Sequence, residues 1–246
     1  MKLYIVPNTS AERYIRKLRD VLDVLNASYE CSMSLDDAQI IYGDHSAVRF
    51  PLEEADLIVS LGGDGTFLRA CQRAIEADKP ISGINCGRLG YLCRYHPEDD
   101  LRFEDLKEER FPVLCVRSQD KEYYAVNDVV IGKDYFGGTV QLRVSVNDAE
   151  QDLIGDGLIL ATPLGSTAYN RSAGGKILSC ENAGYTLTPI CACYPSFRAE
   201  VLEGKDRVRI CLLRDYSASV YVDGILIGKL DEIEVSRKEN AIRIWR

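Results

Sequence analysis

Histidine is scarce in this chain: only His45 and His96 occur, and the nine cysteines show no ligand spacing apart from the single close pair Cys191-x-Cys193. A tetrahedral zinc site is hard to assemble from that set, so no structural metal is expected. An odd, scattered cysteine count reads instead as reduced thiols buried as small hydrophobes. Positive charge is in deficit, with 30 basic residues against 38 acidic and a net charge of −8. That balance argues against non-specific binding to nucleic acid or to an anionic membrane surface, and leaves small molecules as the expected partners. No apolar run approaches the length of a membrane span. The opening Met1 to Val6 is too short for the apolar core of a signal peptide, and Pro7-Asn8 closes it, so a cytoplasmic location is expected. Internal repeats and low-complexity tracts are missing. So are a Gly-x-x-x-x-Gly-Lys-Ser/Thr loop and a Gly-x-Gly-x-x-Gly fingerprint.

What is present centres on Leu57 to Thr66. Leu57-Ile58-Val59-Ser60-Leu61 is a short branched apolar run, suited to a strand buried on both faces of a parallel sheet. It ends in Gly62-Gly63-Asp64-Gly65-Thr66, after which Phe67, Ala70, Cys71, Ala74 and Ile75 recur at helical spacing. The glycines therefore form a tight turn between a strand and a helix. There, backbone N–H groups and the helix dipole attract anions such as phosphate. The carboxylate of Asp64 at the centre of such a loop is out of place unless it acts on a substrate.

The flanking segments extend this pattern. Leu3 to Val6 reads as a first strand, followed by a helix capped by Ser10 with Tyr14, Leu18, Val21, Leu22 and Leu25 on one face. Further strands are expected near Tyr29 to Ser32 and at Pro80 to Asn85. Residues 1–98 are thus read as a small Rossmann-like parallel α/β domain with sites at the carboxyl ends of its strands. Glu98 to Arg110 reads as an acidic, helix-like connection anchored by Leu101, Phe103 and Leu106. Residues 99–246 read as a β-sandwich domain. Period-two stretches run through Val113 to Arg117, Tyr123 to Ile131, Val140 to Val146, Leu158 to Thr162, Val208 to Leu213, Val220 to Val222 and Ile242 to Trp245. Turn signals at Gly137-Gly138, Asn147-Asp148 and Asp223-Gly224 separate them.

Several separated stretches, taken in order, resemble the NAD kinase family. They are Gly62 to Thr66; Gly83-Ile84-Asn85-Cys86-Gly87-Arg88-Leu89-Gly90-Tyr91-Leu92; Asn127-Asp128-Val129-Val130-Ile131; the long run from Asp156 to Gly175; and Leu187 to Cys191. The match departs at Asp128, where many members carry Glu, at Ile154, where some carry Arg, and at Ile225, which follows Asp223-Gly224 in place of a polar residue. The resemblance implies a phosphotransferase that carries the γ-phosphoryl of ATP, or of polyphosphate, to the 2′-hydroxyl of the adenosine ribose of NAD. It also implies Mg²⁺ or another divalent cation as cofactor, and assembly as a homodimer or homotetramer. A non-catalytic NAD(P)-binding sensor and a related lipid or sugar kinase are the competing readings.

Such chemistry needs a base, donors around the phosphates and a cation. Asp64 fits the base, with a turn-stabilising or helix-capping carboxylate as its alternative. The resemblance further implies that Gly62, Gly63, Gly65 and Thr66 face phosphate and that Arg69 contacts the dinucleotide. Tyr91 would pack on an NAD ring, unless it is a core tyrosine. Asn127 offers an amide to an adenine edge and Asp128 a carboxylate to ribose hydroxyls. Thr167, Ala168, Tyr169, Asn170 and Ser172 look like the adenine and ribose pocket, and Asp156 is a further candidate ligand. No residue is assigned to the metal. A dinucleotide using both sets of residues is expected in a crevice between the two halves.

Overall fold

The computed structural model describes residues 1–10, 12–87, 90–93, 95–99, 102–134, 137–194, 197–213 and 216–246, with the side chain of Arg13 excepted. Arg88, Leu89 and Leu101, singled out above, lie outside the described residues. The chain divides into two compact units: Met1–Phe111 together with Ala241–Arg246, and Pro112–Asn240.

The first unit is a parallel α/β layer. Its elements are β1 (Lys2–Pro7), α1 (Glu12–Ser28), β2 (Glu30–Ser32), α2 (Leu35–Tyr42), β3 (Leu57–Gly62), α3 (Asp64–Glu76) and β4 (Ile81–Asn85), with the strands in the order β2-β1-β3-β4. Because β3 is flanked on both sides and covered on both faces, all six of its residues are buried, as its unbroken apolar run required. Leu57, Val59 and Leu61 join Leu18, Leu22 and Ile41 in the cluster beneath α1 and α2. The opposite face carries α3, whose Phe67, Ala70, Cys71 and Ala74 are buried. It lies so close to the sheet that a Cβ on Gly83 of β4 would come within 2.9 Å of Phe67, Cys93 and Ser60. Helix α2 was not foreseen. Ser34 begins it in extended conformation and accepts the Asp37 N–H at 3.2 Å, and Gly43, at φ 80°, ends it.

The acidic run after Pro97 is not the expected helix. Phe103–Asp105 makes one 3-10 turn, and Glu108 already begins the strand β5 (Glu108–Ser118). A second difference concerns Ile242 to Trp245, expected in the antiparallel half. These residues end the last strand, which begins in the second unit and finishes in the first, where Ile244 lies in parallel register with Ile81. The Ser82 hydroxyl donates to the Trp245 carbonyl at 2.9 Å there, and Arg246 pairs with Glu109 at 2.5 Å.

The second unit is antiparallel β. After β5 come β6 (Lys121–Ala125), β7 (Asp128–Lys133), β8 (Val140–Val146), β9 (Ala149–Gly155), β10 (Gly157–Ala161), the short α4 (Tyr169–Ser172), β11 (Tyr185–Ile190), β12 (Glu200–Leu202), β13 (Arg207–Leu212), β14 (Ala218–Val222), β15 (Ile225–Lys229) and β16 (Glu232–Trp245). One layer runs β12-β11-β10-β7-β14-β15; the other includes β16-β13-β8-β9, with the β5–β6 hairpin on β16. Val129, Ile131, Leu158, Leu160, Val220 and Val222 of the first layer share one core with Leu142, Val144, Leu153, Val208, Ile210 and Val235 of the second, which makes the unit a sandwich. The stretch Tyr123 to Ile131 breaks in two at Val126-Asn127. Asp223 and Gly224, at φ 48° and 78°, turn β14 into β15 with both residues left-handed, the geometry of a two-residue hairpin loop. All nine cysteines are free, but Cys180, Cys191 and Cys193 are exposed, so burial accounts for only part of the set.

Candidate active site

In the first unit the site residues gather where β3 meets α3. Gly63 caps the helix in an extended conformation and its carbonyl accepts the N–H groups of Thr66 and Phe67 at 2.9 and 3.1 Å. The glycines have different causes. A Cβ on Gly62 would overlap the Thr66 side chain, so packing alone demands glycine there. At Gly63 and Gly65 a Cβ would meet nothing within 4 Å, and neither residue has a positive φ. The protein's own packing gives no reason for these two glycines, which is the expectation for positions kept clear for an incoming group.

Asp64 stands at the first turn of α3, half-buried. Its Oδ2 accepts the Tyr91 N–H at 2.8 Å, and its Oδ1 accepts those of Leu92 and Cys93 at 3.0 and 3.2 Å. A carboxylate offers about four acceptor positions, so one on Oδ2 stays open. The loop that supplies these donors bends tightly around the carboxylate: a Cβ on Gly90 would lie 2.8 Å from Asn85 Nδ2 and 2.8 Å from the Cys93 carbonyl oxygen. Tyr91 is 58% exposed, which removes the core-tyrosine alternative. Arg69 is exposed, with its guanidinium 3.5 Å from the Thr66 hydroxyl. Asn85, at the end of β4, is fully buried; its Oδ1 accepts the Gly87 N–H while its Nδ2 has no partner among the described residues.

In the second unit the segment Val126-Asn127-Asp128 is clamped from two sides. Its carbonyls are held from below, where the Thr162 hydroxyl donates to the Val126 carbonyl at 2.5 Å and the Thr162 N–H to that of Asn127 at 2.9 Å. Its N–H groups are held by Asp223, whose carboxylate accepts those of Val126, Asn127 and Asp128 at 2.8, 2.7 and 3.1 Å. Gly165 touches the same segment so closely that a Cβ would overlap the Asn127 carbonyl. Between the clamps, Asn127 Oδ1 is buried without a partner among the described residues, and Asp128 is a buried residue, 7% exposed. Burial pushes Asp128 up to about 6. Asp223 rises to about 7, first through burial and further through the neighbouring Asp128 carboxylate, against the three N–H bonds that favour its ionised form.

The loop after Thr162 divides into presenting and supporting residues. Tyr169 and Ser172 are exposed and Thr167 and Ala168 half-buried. Asn170, expected in the pocket, is fully buried and spent internally. Its Nδ2 donates to the Ser166 and Lys176 carbonyls at 2.9 and 3.0 Å, and its Oδ1 accepts the hydroxyls of Thr186 and Thr188 at 3.0 and 2.7 Å. Asp156 also stands apart. It pairs with Lys133 Nζ at 2.6 Å at the far end of β7 from Asp128, about 17 Å away at a strand's rise per residue.

Residues 10–124 match the family described as the ATP-NAD kinase N-terminal domain, and residues 126–245 match the ATP-NAD kinase C-terminal domain. The chain belongs to the NAD kinase family. The NAD kinase of Thermotoga petrophila is 35% identical over 199 residues, covering 78% of this chain and 76% of the relative. That of Acetivibrio thermocellus is 32% identical over 241 residues, covering 91% and 83%. Among solved structures, an Archaeoglobus fulgidus NAD kinase in complex with ATP superposes with a TM-score of 0.77 at 25% identity, covering all of this chain and 94% of the other. Yeast NADH kinase complexed with NADH gives a TM-score of 0.81 over 100% and 82% of the two chains, and at 23% identity it bears on the NAD kinase fold alone.

Within this NAD kinase architecture, sequence reasoning missed the part played by Asp223, read as a turn signal and as part of the family match at Asp223-Gly224, and the supporting roles of Thr162, Gly165 and Asn85. Asp223 lies 96 positions beyond Asn127, and only the pairing of β7 with β14 makes them neighbours. The unpartnered Asn85 amide was within reach, because a polar residue closing a buried parallel strand needs a partner.

Proposed function

We propose that the chain transfers the γ-phosphoryl group of ATP to the 2′-hydroxyl of the adenosine ribose of NAD, giving NADP and ADP. The observation that carries this reading is Asp64, a carboxylate locked by three backbone N–H groups with one acceptor position open, set in a glycine loop of an NAD kinase chain. In the reaction the open Oδ2 position takes the 2′-hydroxyl proton while the hydroxyl oxygen bonds to phosphorus and the ADP oxygen leaves. Gly63 and Gly65 leave room for phosphate beside the N-terminus of α3. In the second unit Asn127 and Asp128 supply a buried amide oxygen and a buried carboxyl for the adenosine, together with Thr167, Ala168, Tyr169 and Ser172; in the first unit Arg69 and Tyr91 accompany Asp64.

A divalent cation arriving with ATP would neutralise charge on the transferred group. Among the described residues no group of three or more His, Cys, Asp or Glu side chains could cage an ion. The proposal has the cation carried mainly on the nucleotide's own phosphates and water, as Mg²⁺ commonly is. No helix among the described residues is long and apolar enough to cross a membrane. A cytoplasmic location and assembly as a homodimer or homotetramer belong to the same proposal, and light scattering tests the assembly.

The deciding experiment incubates the purified protein with NAD, ATP and Mg²⁺ and reads NADP through an NADP-specific dehydrogenase, with polyphosphate as a parallel donor. NADP formation that stops on chelation is the expected result. Folded protein that binds NAD and makes no NADP would replace this reading with the sensor.

A further inference from the structure

The proposed dinucleotide contacts at Asn127 and Asp128 raise a question of how the chain holds them. Val126 and Asn127 occupy the break between β6 and β7, and Asp128 opens β7 opposite Ala161 of β10. Three successive N–H groups, those of Val126, Asn127 and Asp128, point the same way and would be left without acceptors there. The carboxylate of Asp223 meets all three, at 2.8, 2.7 and 3.1 Å, and the Asp223 N–H returns a bond to the Asp128 carbonyl at 2.9 Å. Asp223 is itself held by the hairpin it starts, at φ 48° beside Gly224 at 78°. That turn is anchored by β14, which pairs with β7 from Val222↔Val129 onward.

We propose that Asp223 is a positioning residue for dinucleotide binding: its carboxylate fixes the Val126–Asp128 backbone so that the Asn127 amide oxygen and the Asp128 carboxyl face the ligand. Two observations independent of the three hydrogen bonds point to a ligand there. Asn127 Oδ1 is buried and has no partner among the described residues, a state that protein side chains rarely keep without an external donor. The Asp128 carboxyl is buried beside a second carboxyl, an arrangement that costs stability through like-charge repulsion and desolvation. A chain shaped by stability alone would be expected to place neutral groups at both positions. The inference rests on the function proposed above and adds a residue that acts through others.

The test uses the full chain. Asp223→Asn is the informative variant because Asn-Gly is a favoured pair for this hairpin turn, so the fold is kept. The amide cannot accept where the second carboxylate oxygen did, and its NH₂ group faces the Val126 N–H. NAD affinity by calorimetry is expected to fall tenfold or more, with the KM for ATP within about twofold of wild type. In an Asn127→Ala/Asp128→Ala background the same substitution is expected to change NAD affinity less than twofold, because the groups it positions are gone. Equal losses in both backgrounds, or parallel losses for NAD and ATP, would assign Asp223 a general structural role and overturn the proposal. A wild-type-like Asp223→Asn in an active enzyme overturns it too. Wild-type protein that neither binds nor phosphorylates NAD would instead remove the functional reading, and this one with it.

Discussion

Asp64→Asn separates the tether visible in the structure from the base role proposed for the same side chain. As a tether, Asp64 holds the 91–93 backbone through three N–H bonds. An asparagine with its oxygen in the Oδ1 position keeps the two bonds from Leu92 and Cys93 in weakened, neutral form. It loses the bond from Tyr91, where an NH₂ group would face the N–H. Losing one charge-assisted bond costs about 1.5–3 kcal/mol, and removing a negative charge from the first turn of α3 adds about 0.3–1 kcal/mol. The tether alone therefore predicts a loss of roughly 2–4 kcal/mol, or roughly 5–15 °C in Tm at about 2–4 °C per kcal/mol for a chain of this size. It predicts no intrinsic change in turnover of the folded fraction. As a base, Asp64 predicts a fall in kcat of about 10²–10⁴ at nearly constant NAD affinity, because proton removal matters mainly in the transition state. The assay is steady-state NADP formation at a temperature well below the variant's Tm, beside calorimetric titration with NAD. Gly90→Ala serves as a comparison, since it disturbs the tethered loop and crowds Asp64 Oδ1 at 3.2 Å while keeping the carboxylate's charge. If folded Asp64→Asn turns over within tenfold of wild type, the base assignment fails and the tether is its whole role.

Gly65→Ala should stabilise the protein by up to about 1 kcal/mol, since the position is helical with free space around it, yet raise the KM for ATP severalfold; unchanged kinetics would mean that no phosphate approaches there. Asn170→Ala should cost about 3–5 kcal/mol in chemical denaturation, because two carbonyls and two hydroxyls lose their buried partner together; a loss under about 1 kcal/mol would show that the loop does not depend on it. Asp128 gives a pH test. Its carboxyl titrates near 6 in the fold against an ordinary 3.8, so between those values the unfolded chain binds fewer protons and stability falls as pH rises. Asp128→Asn should remove that part of the slope, worth at most about 3 kcal/mol, and a pH–stability curve identical to wild type would contradict the burial argument.

The parts of this architecture that could be read from the chain are those whose cause is local. The β3 run, the glycine loop and the period of α3 each follow from neighbouring residues, and so does the Asp223-Gly224 hairpin. Helix α2 carried a readable signal in Ser34 and Asp37, three apart, and its short apolar stripe hid it. Glu98 to Arg110 misled because its charges were read as a solvated helix, whereas Glu108 and Glu109 meet Trp245 and Arg246 at a separation of 137 positions. Asn170 was read as a pocket residue from the company it keeps. Its neighbours Thr186 and Thr188, which take up its acceptor, come from a strand that no period-two pattern announced. The role of Asp223 depends on a pairing across two strands and was beyond any local reading.

The last strand also bears on biosynthesis. The first unit borrows Ala241–Arg246, so the parallel sheet lacks the strand that flanks β4 until residues made after the entire second unit become available. Domains tend to fold as they emerge, but here the earlier-made one stays open along the β4 edge, and an open edge invites pairing with other chains. Closing it requires a loop as long as the second unit, and that entropy rises only slowly with length. Folding the sandwich first shortens the search. A strand made after the second unit thus completes the unit made before it, and a truncation near residue 240 would leave the glycine-loop half exposed to aggregation although none of its own loop residues had been touched.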